Sequence, residues 1–225
     1  MVQSPIAIIL FTRVPVAGAT KTRLEKMLTP AECAQLHGAF LQDVYQICQQ
    51  SGMDLYIFYT PEGELDILQS ILGKELNYLP QAGQNLGEKM HKALAQTLAK
   101  GYDSCLLIGA DIPLLGKQDL TTAAELLHQY DVVFIPTLDG GYCLVGLKTP
   151  NAELLQNHAY GSASVLNSTL AKAHELGLKT ALAKPQLDID EPEDLQLLLQ
   201  KLKEPQTATP PQHTIALLKA WQMLV

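Results

Sequence analysis

Cations are scarce in this chain: 16 lysines and arginines stand against 23 aspartates and glutamates in 225 residues, a formal charge of −7. Sequence-independent nucleic-acid binding needs a basic surface, so that class of function is excluded, and any phosphate must be met by a local cluster. Cysteine is sparse too. Cys33, Cys48, Cys105 and Cys143 form no Cys-x-x-Cys pair and lie in helical or strand-like runs. That argues against a zinc site or a disulfide framework and for a reducing, cytoplasmic setting. The N-terminal apolar run, Ile6 to Phe11, is too short to span a membrane and lacks both a preceding basic residue and a small-residue cleavage pattern. It reads as a strand, with no membrane partner implied. Internal repeats are absent, and only the Pro205 to Gln212 stretch is compositionally biased.

What remains, 47% hydrophobic and 17% charged residues, is the composition of one soluble domain. Ile6 to Phe11 is a continuous apolar and β-branched run, the mark of a central parallel strand. Thr29-Pro30-Ala31-Glu32 is a capping box that opens a helix to about Ser51, stopped by Gly52. Strands follow at Asp54 to Tyr59 and Leu76 to Leu79, separated by a helix from Glu62 to Leu72. A helix from Leu86 to Lys100 is introduced by Asn85. Leu106, Leu107 and Ile108, with Cys105, form a second run apolar on both faces, and helix then strand follow at Gln118 to Tyr130 and Val132 to Ile135. Strands alternating with helices imply three layers, α/β/α, around a central, mostly parallel sheet. Residues 1–204 read as one domain and 205–212 as a linker. Residues 213–225 read as a terminal helix packed on the domain or on a partner subunit in a homodimer.

Three loops carry chemistry. After the first strand, Thr12 to Leu24 places Arg13, Lys21 and Arg23 within eleven residues. In an acidic protein such a cluster fits an anion docked at the strand end better than a solvated surface loop. It is not a Walker loop, because Lys21 does not follow a glycine, and Gly18 alone cannot make Gly-x-Gly-x-x-Gly. After the Leu106 strand comes Asp111, followed by Pro113. It either caps the next helix or stands in the crevice at the carboxyl end of the sheet. The third loop, Asp139-Gly140-Gly141-Tyr142, is a hairpin-turn signal that would also let a ligand lie against bare backbone. Cations facing two carboxylates suggest a divalent metal, Mg2+ or Mn2+, between the acids and a bound diphosphate. Asp188-Ile-Asp-Glu-Pro-Glu-Asp-Leu195 is explained largely by capping of the helix after it.

Taken together, Phe11 to Leu24, Ile108-Gly-Ala-Asp-Ile-Pro113, Asp139 to Leu147 and Asp188 to Leu195 resemble a bacterial family with the glycosyltransferase-A fold. Its members are commonly described as arsenosugar-biosynthesis or nucleotide-diphospho-sugar glycosyltransferases. The fold is shared with molybdenum-cofactor and phospholactate guanylyltransferases, and the resemblance covers roughly residues 5–200. It implies a metal-dependent glycosyltransferase using a nucleoside diphosphate sugar and a small acceptor. The alternative is a nucleotidyltransferase joining a nucleoside triphosphate to a small phosphorylated substrate. Carried over, Lys21, Asp111 and Asp139 would be catalytic, and Thr12, Arg13, Gly18, Lys21, Arg23 and Gly87 would bind the nucleotide. Metal ligands would be Asp111 with Asp139, Asp190 being the rival. Gly140, Gly141, Tyr142, Tyr160 and Ser162 would face the acceptor, and Asp188, Asp190 and His158 are candidate bases. The chain departs from the family pattern at Ala110 and Ile112, where Gly-Ser-Asp-Cys-Pro is expected. It departs again at Tyr160-Gly161-Ser162, in place of Trp-Ser-Thr.

Overall fold

The computed structural model describes residues 6–60, 64–204 and 209–224. Seven strands form one sheet: β1 (Ile6–Arg13), β2 (Asp54–Thr60), β3 (Asn77–Pro80), β4 (Ser104–Gly109), β5 (Val132–Pro136), β6 (Tyr142–Leu147) and β7 (Thr180–Leu182). Their order is β3-β2-β1-β4-β6-β5-β7, with β6 antiparallel to both neighbours and every other pairing parallel. The Asp139 turn therefore makes a hairpin whose return strand is wedged between β4 and β5.

Why β1 reads as an unbroken apolar run is clear from its place at the centre. Ile8 and Leu10 pack beneath α1 (Pro30–Ser51), α2 (Leu65–Leu72) and α4 (Lys117–Leu126), while Ala7 and Ile9 face the opposite layer. That layer is α3 (Leu86–Leu98), α5 (Ala152–Leu155) and α6 (Val165–Glu175). Both faces are buried, so alternation disappears. Each such isoleucine or leucine contributes about 1.5–3 kcal/mol relative to exposure.

A third core cluster lies beside α1. Leu36 and Phe40 of α1 meet Leu187 and Ile189, Leu195 and Leu198 of α7 (Pro192–Lys201), and Leu218 of α8 (Gln212–Ala220). The capping box at Thr29 forms in both directions, with Glu32 N–H on Thr29 Oγ1 and the Glu32 carboxylate accepting from Thr29 N–H. The terminal helix is shorter than its apolar spacing suggests. It stops at Ala220, Gln222 turns left-handed (φ 59°), and Leu224 folds back into the third cluster. The helix over 118–130 likewise ends at Leu126, and the one over 62–72 begins at Leu65. Part of the 205–212 linker lies outside the described residues. Two short elements have no periodicity to reveal them: the single tight turn Thr22–Lys26 and the four-residue α5.

Helix α8 is held by a carboxylate from another helix. Asp43 of α1, 3% exposed, accepts from the backbone N–H groups of His213 (2.9 Å) and Thr214 (2.8 Å) and from Thr214 Oγ1 (2.6 Å). It satisfies donors that a helix start leaves open and places negative charge at the positive end of the dipole. Asp43→Ala is expected to cost about 2 kcal/mol in urea unfolding, with α8 the first segment released to a protease. Unchanged stability would show that the apolar contacts alone hold α8.

Candidate active site

The carboxyl ends of β1, β2, β3 and β4 and the β5–β6 hairpin surround a cavity of about 630 Å³. Thr12 and Arg13 line it from the end of β1, Lys21 and Arg23 from the loop that follows, Asp111 from the loop after β4, and Asp139, Gly141, Tyr142, Tyr160 and Ser162 from the far side. Asp188 and Asp190 line it too. Segments more than a hundred residues apart thus share one space.

At its centre is the Lys21 ammonium, whose side chain is 4% exposed. Nζ lies 2.6 Å from the Ile189 carbonyl, 2.8 Å from Asp190 Oδ1 and 2.9 Å from Asp111 Oδ2. An ammonium has three N–H donors, and all three are engaged. Burial alone would lower the pKa of Lys21, but Asp111, Asp190 and Asp188 outweigh it and hold the pKa above the usual lysine range. For Asp111, burial opposes ionisation, yet Lys21 and His37 keep its carboxyl well below the usual carboxylate range. The loop lysine expected to face the carboxylates across a bound anion is instead paired with them directly. Its backbone, at φ 52°, is in the left-handed region, where a side chain is strained.

Local folding explains how the acids arrive. Ile189 is fully buried in the third core cluster, and its N–H donates to the Asp111 carbonyl (3.0 Å) while its own carbonyl receives Lys21. With that side chain anchored in the core, the two flanking residues, Asp188 and Asp190, line the cavity. Asp190 N–H and Glu191 N–H donate to Asp194 Oδ2, so the capping explanation of this acidic run holds for Asp194. His37, from the middle of α1, completes the cluster. Its Nδ1 is 3.0 Å from Asp111 Oδ1, and its Nε2 is 3.1 Å from the Arg13 carbonyl and 3.2 Å from Thr12 Oγ1. Nothing singled His37 out beforehand except a polar residue interrupting the apolar face that Cys33, Leu36 and Phe40 make.

One oxygen ligand each from Asp111, Asp188 and Asp190 can lie within 4.8 Å of the others. Asp188 Oδ1 is buried without a hydrogen-bond partner. Burial, and then the negative charge of Asp111, push the Asp188 carboxyl up to about 8. An orphaned oxygen beside two further carboxylates is the donor set that a hard divalent cation takes. Asp139 is not in that group. Its Oδ1 accepts from Thr137 Oγ1 (2.5 Å) and Gly141 N–H (3.1 Å), which closes the hairpin turn. The geometry favours Asp190, with Asp188, over Asp139 as companions of Asp111.

Several other candidates are placed elsewhere. Gly87 does not line the cavity: a Cβ there would stand 2.0 Å from the Leu155 carbonyl oxygen, so its bareness admits α5. Gly140 meets the Ala163 carbonyl in the same way, at 2.2 Å. Gly18 supplies a left-handed turn in the first loop, outside the cavity wall. His158 also lies off the wall, bonded to Ser168 Oγ and the Leu154 carbonyl.

The three-layer architecture around a seven-stranded, mostly parallel sheet is that of nucleotide-diphospho-sugar transferase and nucleotidyltransferase folds, as a solved structure with the same fold shows. A family profile described as "Uncharacterized protein conserved in bacteria (DUF2064)" matches residues 42–162, and the chain belongs to that family. Among curated proteins it is 31% identical over 182 residues to a 3-phospho-D-glycerate guanylyltransferase of Phenylobacterium zucineum, covering 77% of this chain and 81% of that one. It is 28% identical over 190 residues to the 2-phospho-L-lactate guanylyltransferase of Methanothermobacter thermautotrophicus, covering 81% and 80%. A crystal structure from Desulfovibrio desulfuricans G20, described provisionally as a nucleotide-diphospho-sugar transferase, superposes with a TM-score of 0.89 at 28% identity, covering 98% and 96%. The protein is an enzyme of the transferase class. None of these three relatives carries an arsenosugar description. No helix of the described residues is long and apolar enough to cross a membrane.

The Asp188 shift has a consequence for stability. A carboxyl whose pKa is near 3.8 when unfolded and about 8 when folded keeps its proton on folding, so stability is lost as pH rises between those values. Asp188→Asn, already neutral, should match the wild type near pH 4 in metal-free buffer and exceed its melting temperature by several degrees at pH 8. A difference independent of pH would contradict the buried, uncompensated carboxyl.

Proposed function

We infer that this enzyme is a nucleotidyltransferase that joins a nucleoside triphosphate to a small phosphorylated acceptor, releasing pyrophosphate. The observation that carries the reading is one cavity in which Lys21 and the Asp111, Asp188 and Asp190 group meet two arginines and Lys89. Two relatives named as guanylyltransferases, each aligned over most of its length, support it against the glycosyl reading.

In this reading an oxygen of the acceptor phosphate bonds to the α-phosphorus, the bond from that phosphorus to the bridging oxygen breaks, and pyrophosphate leaves with the electron pair. Arg13, Arg23 and Lys89 line the cavity where the triphosphate would lie; Arg23 is half-exposed and loosely paired with Asp190 and Glu191, so it is free to reorient. Before any ligand arrives Lys21 holds Asp111 and Asp190 in place, and with a cation on those carboxylates its ammonium would pass to the phosphates. Asp111, Asp188 and Asp190 would hold Mg2+ or Mn2+, which would supply positive charge to offset that of the phosphates. A phosphate nucleophile carries no proton that must be removed, so neither Asp188, Asp190 nor His158 is required as a base. The acceptor approaches from the side of Gly141, Tyr142, Tyr160 and Ser162.

The test is pyrophosphate release from GTP, CTP, UTP or ATP with Mg2+ and a panel of small phosphate monoesters. Release should depend on the ester, and Asp111→Ala should lower it by at least about a hundredfold. Release of a nucleoside diphosphate from sugar nucleotides, without pyrophosphate from any triphosphate, would move the assignment to glycosyl transfer.

A further inference from the structure

A second cavity, of about 180 Å³, opens beside the acid cluster, and nothing above makes use of it. Its wall is mostly apolar, with Phe11 of β1, Leu107 of β4, Val145 of β6 and Leu86 and Met90 of α3, and also includes Tyr142 and two acids. Asp111 and Asp188 line both cavities, as do Phe11, Leu86, Met90 and Tyr142, so the smaller is a branch of the larger. Arg13, Lys21, Arg23 and Lys89 line the larger one, while no lysine, arginine or histidine lines the smaller.

The two ends of the combined space differ in chemistry. On the β2 and β3 side the wall is polar, made by Thr60, Gln81, Gln84 and Asn85. Gln81 Nε2 donates to the Thr12 carbonyl (2.9 Å) and to the Phe58 carbonyl (3.0 Å), which fixes the amide and leaves its own oxygen as an acceptor. Such a wall suits the hydrogen-bonding edge of a base. On the other side of β1 lies the apolar cavity, over β4 and β6. From β2 to β6 is three strand spacings, about 14 Å, enough for a nucleoside, its α-phosphate and one further small group in line.

We propose that the small cavity takes the carbon body of the acceptor, and that the acceptor is a phosphate monoester with an uncharged, apolar skeleton. The space equals about six water volumes of roughly 30 Å³ each, room for a short carbon skeleton. A second carboxylate placed there would find no lysine, arginine or histidine on the wall and would lie beside Asp111 and Asp188, whose charge, with that of Asp190, a single divalent cation only partly offsets, a costly burial. The acceptor class therefore differs from the phosphocarboxylates that the two guanylyltransferase relatives are named for. The inference rests on the nucleotidyl reading for the acceptor's phosphate, but the cavity's preference can be measured without turnover.

The probes are methyl to octyl phosphate, cyclohexyl phosphate and 3-phosphoglycerate, titrated calorimetrically into protein held with Mg2+ and a non-hydrolysable GTP analogue, and assayed in parallel for pyrophosphate release with GTP. Affinity is expected to rise about fourfold per methylene and to level off near six carbons, with 3-phosphoglycerate about tenfold or more weaker than butyl phosphate. Val145→Phe, at a wall residue that does not line the larger cavity, narrows the space and should abolish the chain-length dependence while leaving affinity for the GTP analogue within about twofold. If that variant does not fold, Leu86→Ala, at an exposed helix position that opens the wall, should reduce the gain per methylene. Affinity independent of chain length, tighter binding of 3-phosphoglycerate, or a Val145→Phe effect confined to the nucleotide would overturn the proposal. A rising series without pyrophosphate release would instead remove the nucleotidyl reading and leave the apolar preference standing.

Discussion

A buried ammonium among carboxylates organises this molecule. Lys21 stands in a loop next to the first strand, and its partners Ile189 and Asp190 lie 168 and 169 positions further on. Taking this ammonium out of water is expensive, and attraction to its half-buried partners offsets the cost only when every donor is met. Here the three ammonium protons find three oxygens, and a backbone bond from Ile189 to Asp111 ties two of the segments directly. Asp188 is the exception, its oxygen unpartnered and its proton retained to about pH 8. The cluster is complete as a lock on the loops and incomplete as a set of charges, which is the condition of a site prepared for a cation.

The layers of the fold make this affordable. β1 is buried on both faces and cannot shift register without exposing its apolar residues, so the loop that follows it starts from a fixed point. Ile189 is held in the third core cluster by α1, α7 and α8, and Asp43 fastens α8 to α1 from below. The positions of Asp188 and Asp190 are thus set by apolar packing on the side of the chain away from the cavity. His37 reaches Asp111 from the same helix that carries Asp43, so α1 supports both the C-terminal helix and the acid cluster.

Much of this was legible in the residues. The two apolar runs at Ile6 and Cys105, the capping box at Thr29 and the Asp-Gly hairpin each has one cheap local solution, and each was adopted. That the Lys21 loop and the Asp111 loop meet was also readable, because both follow neighbouring central strands. What escaped was tertiary. The Asp188 to Asp190 segment looks like helix capping, and Asp194 does cap; only the burial of Ile189 reveals that its neighbours turn toward the cavity. Gly87 and Gly140 look like ligand contacts, whereas close backbone approach by α5 and by Ala163 accounts for both. No period marks a lone histidine such as His37.

The central claim, that a cation site is built from Asp111, Asp188 and Asp190 around Lys21, is most directly tested by anomalous scattering from crystals grown with Mn2+ and a non-hydrolysable nucleoside triphosphate analogue. The account predicts one strong manganese peak within coordinating distance of these carboxylates, with the Lys21 ammonium moved from them onto the phosphates. A peak at Asp139 instead, or a bound nucleotide with Lys21 still on Asp111 and Asp190 and no metal, would contradict it.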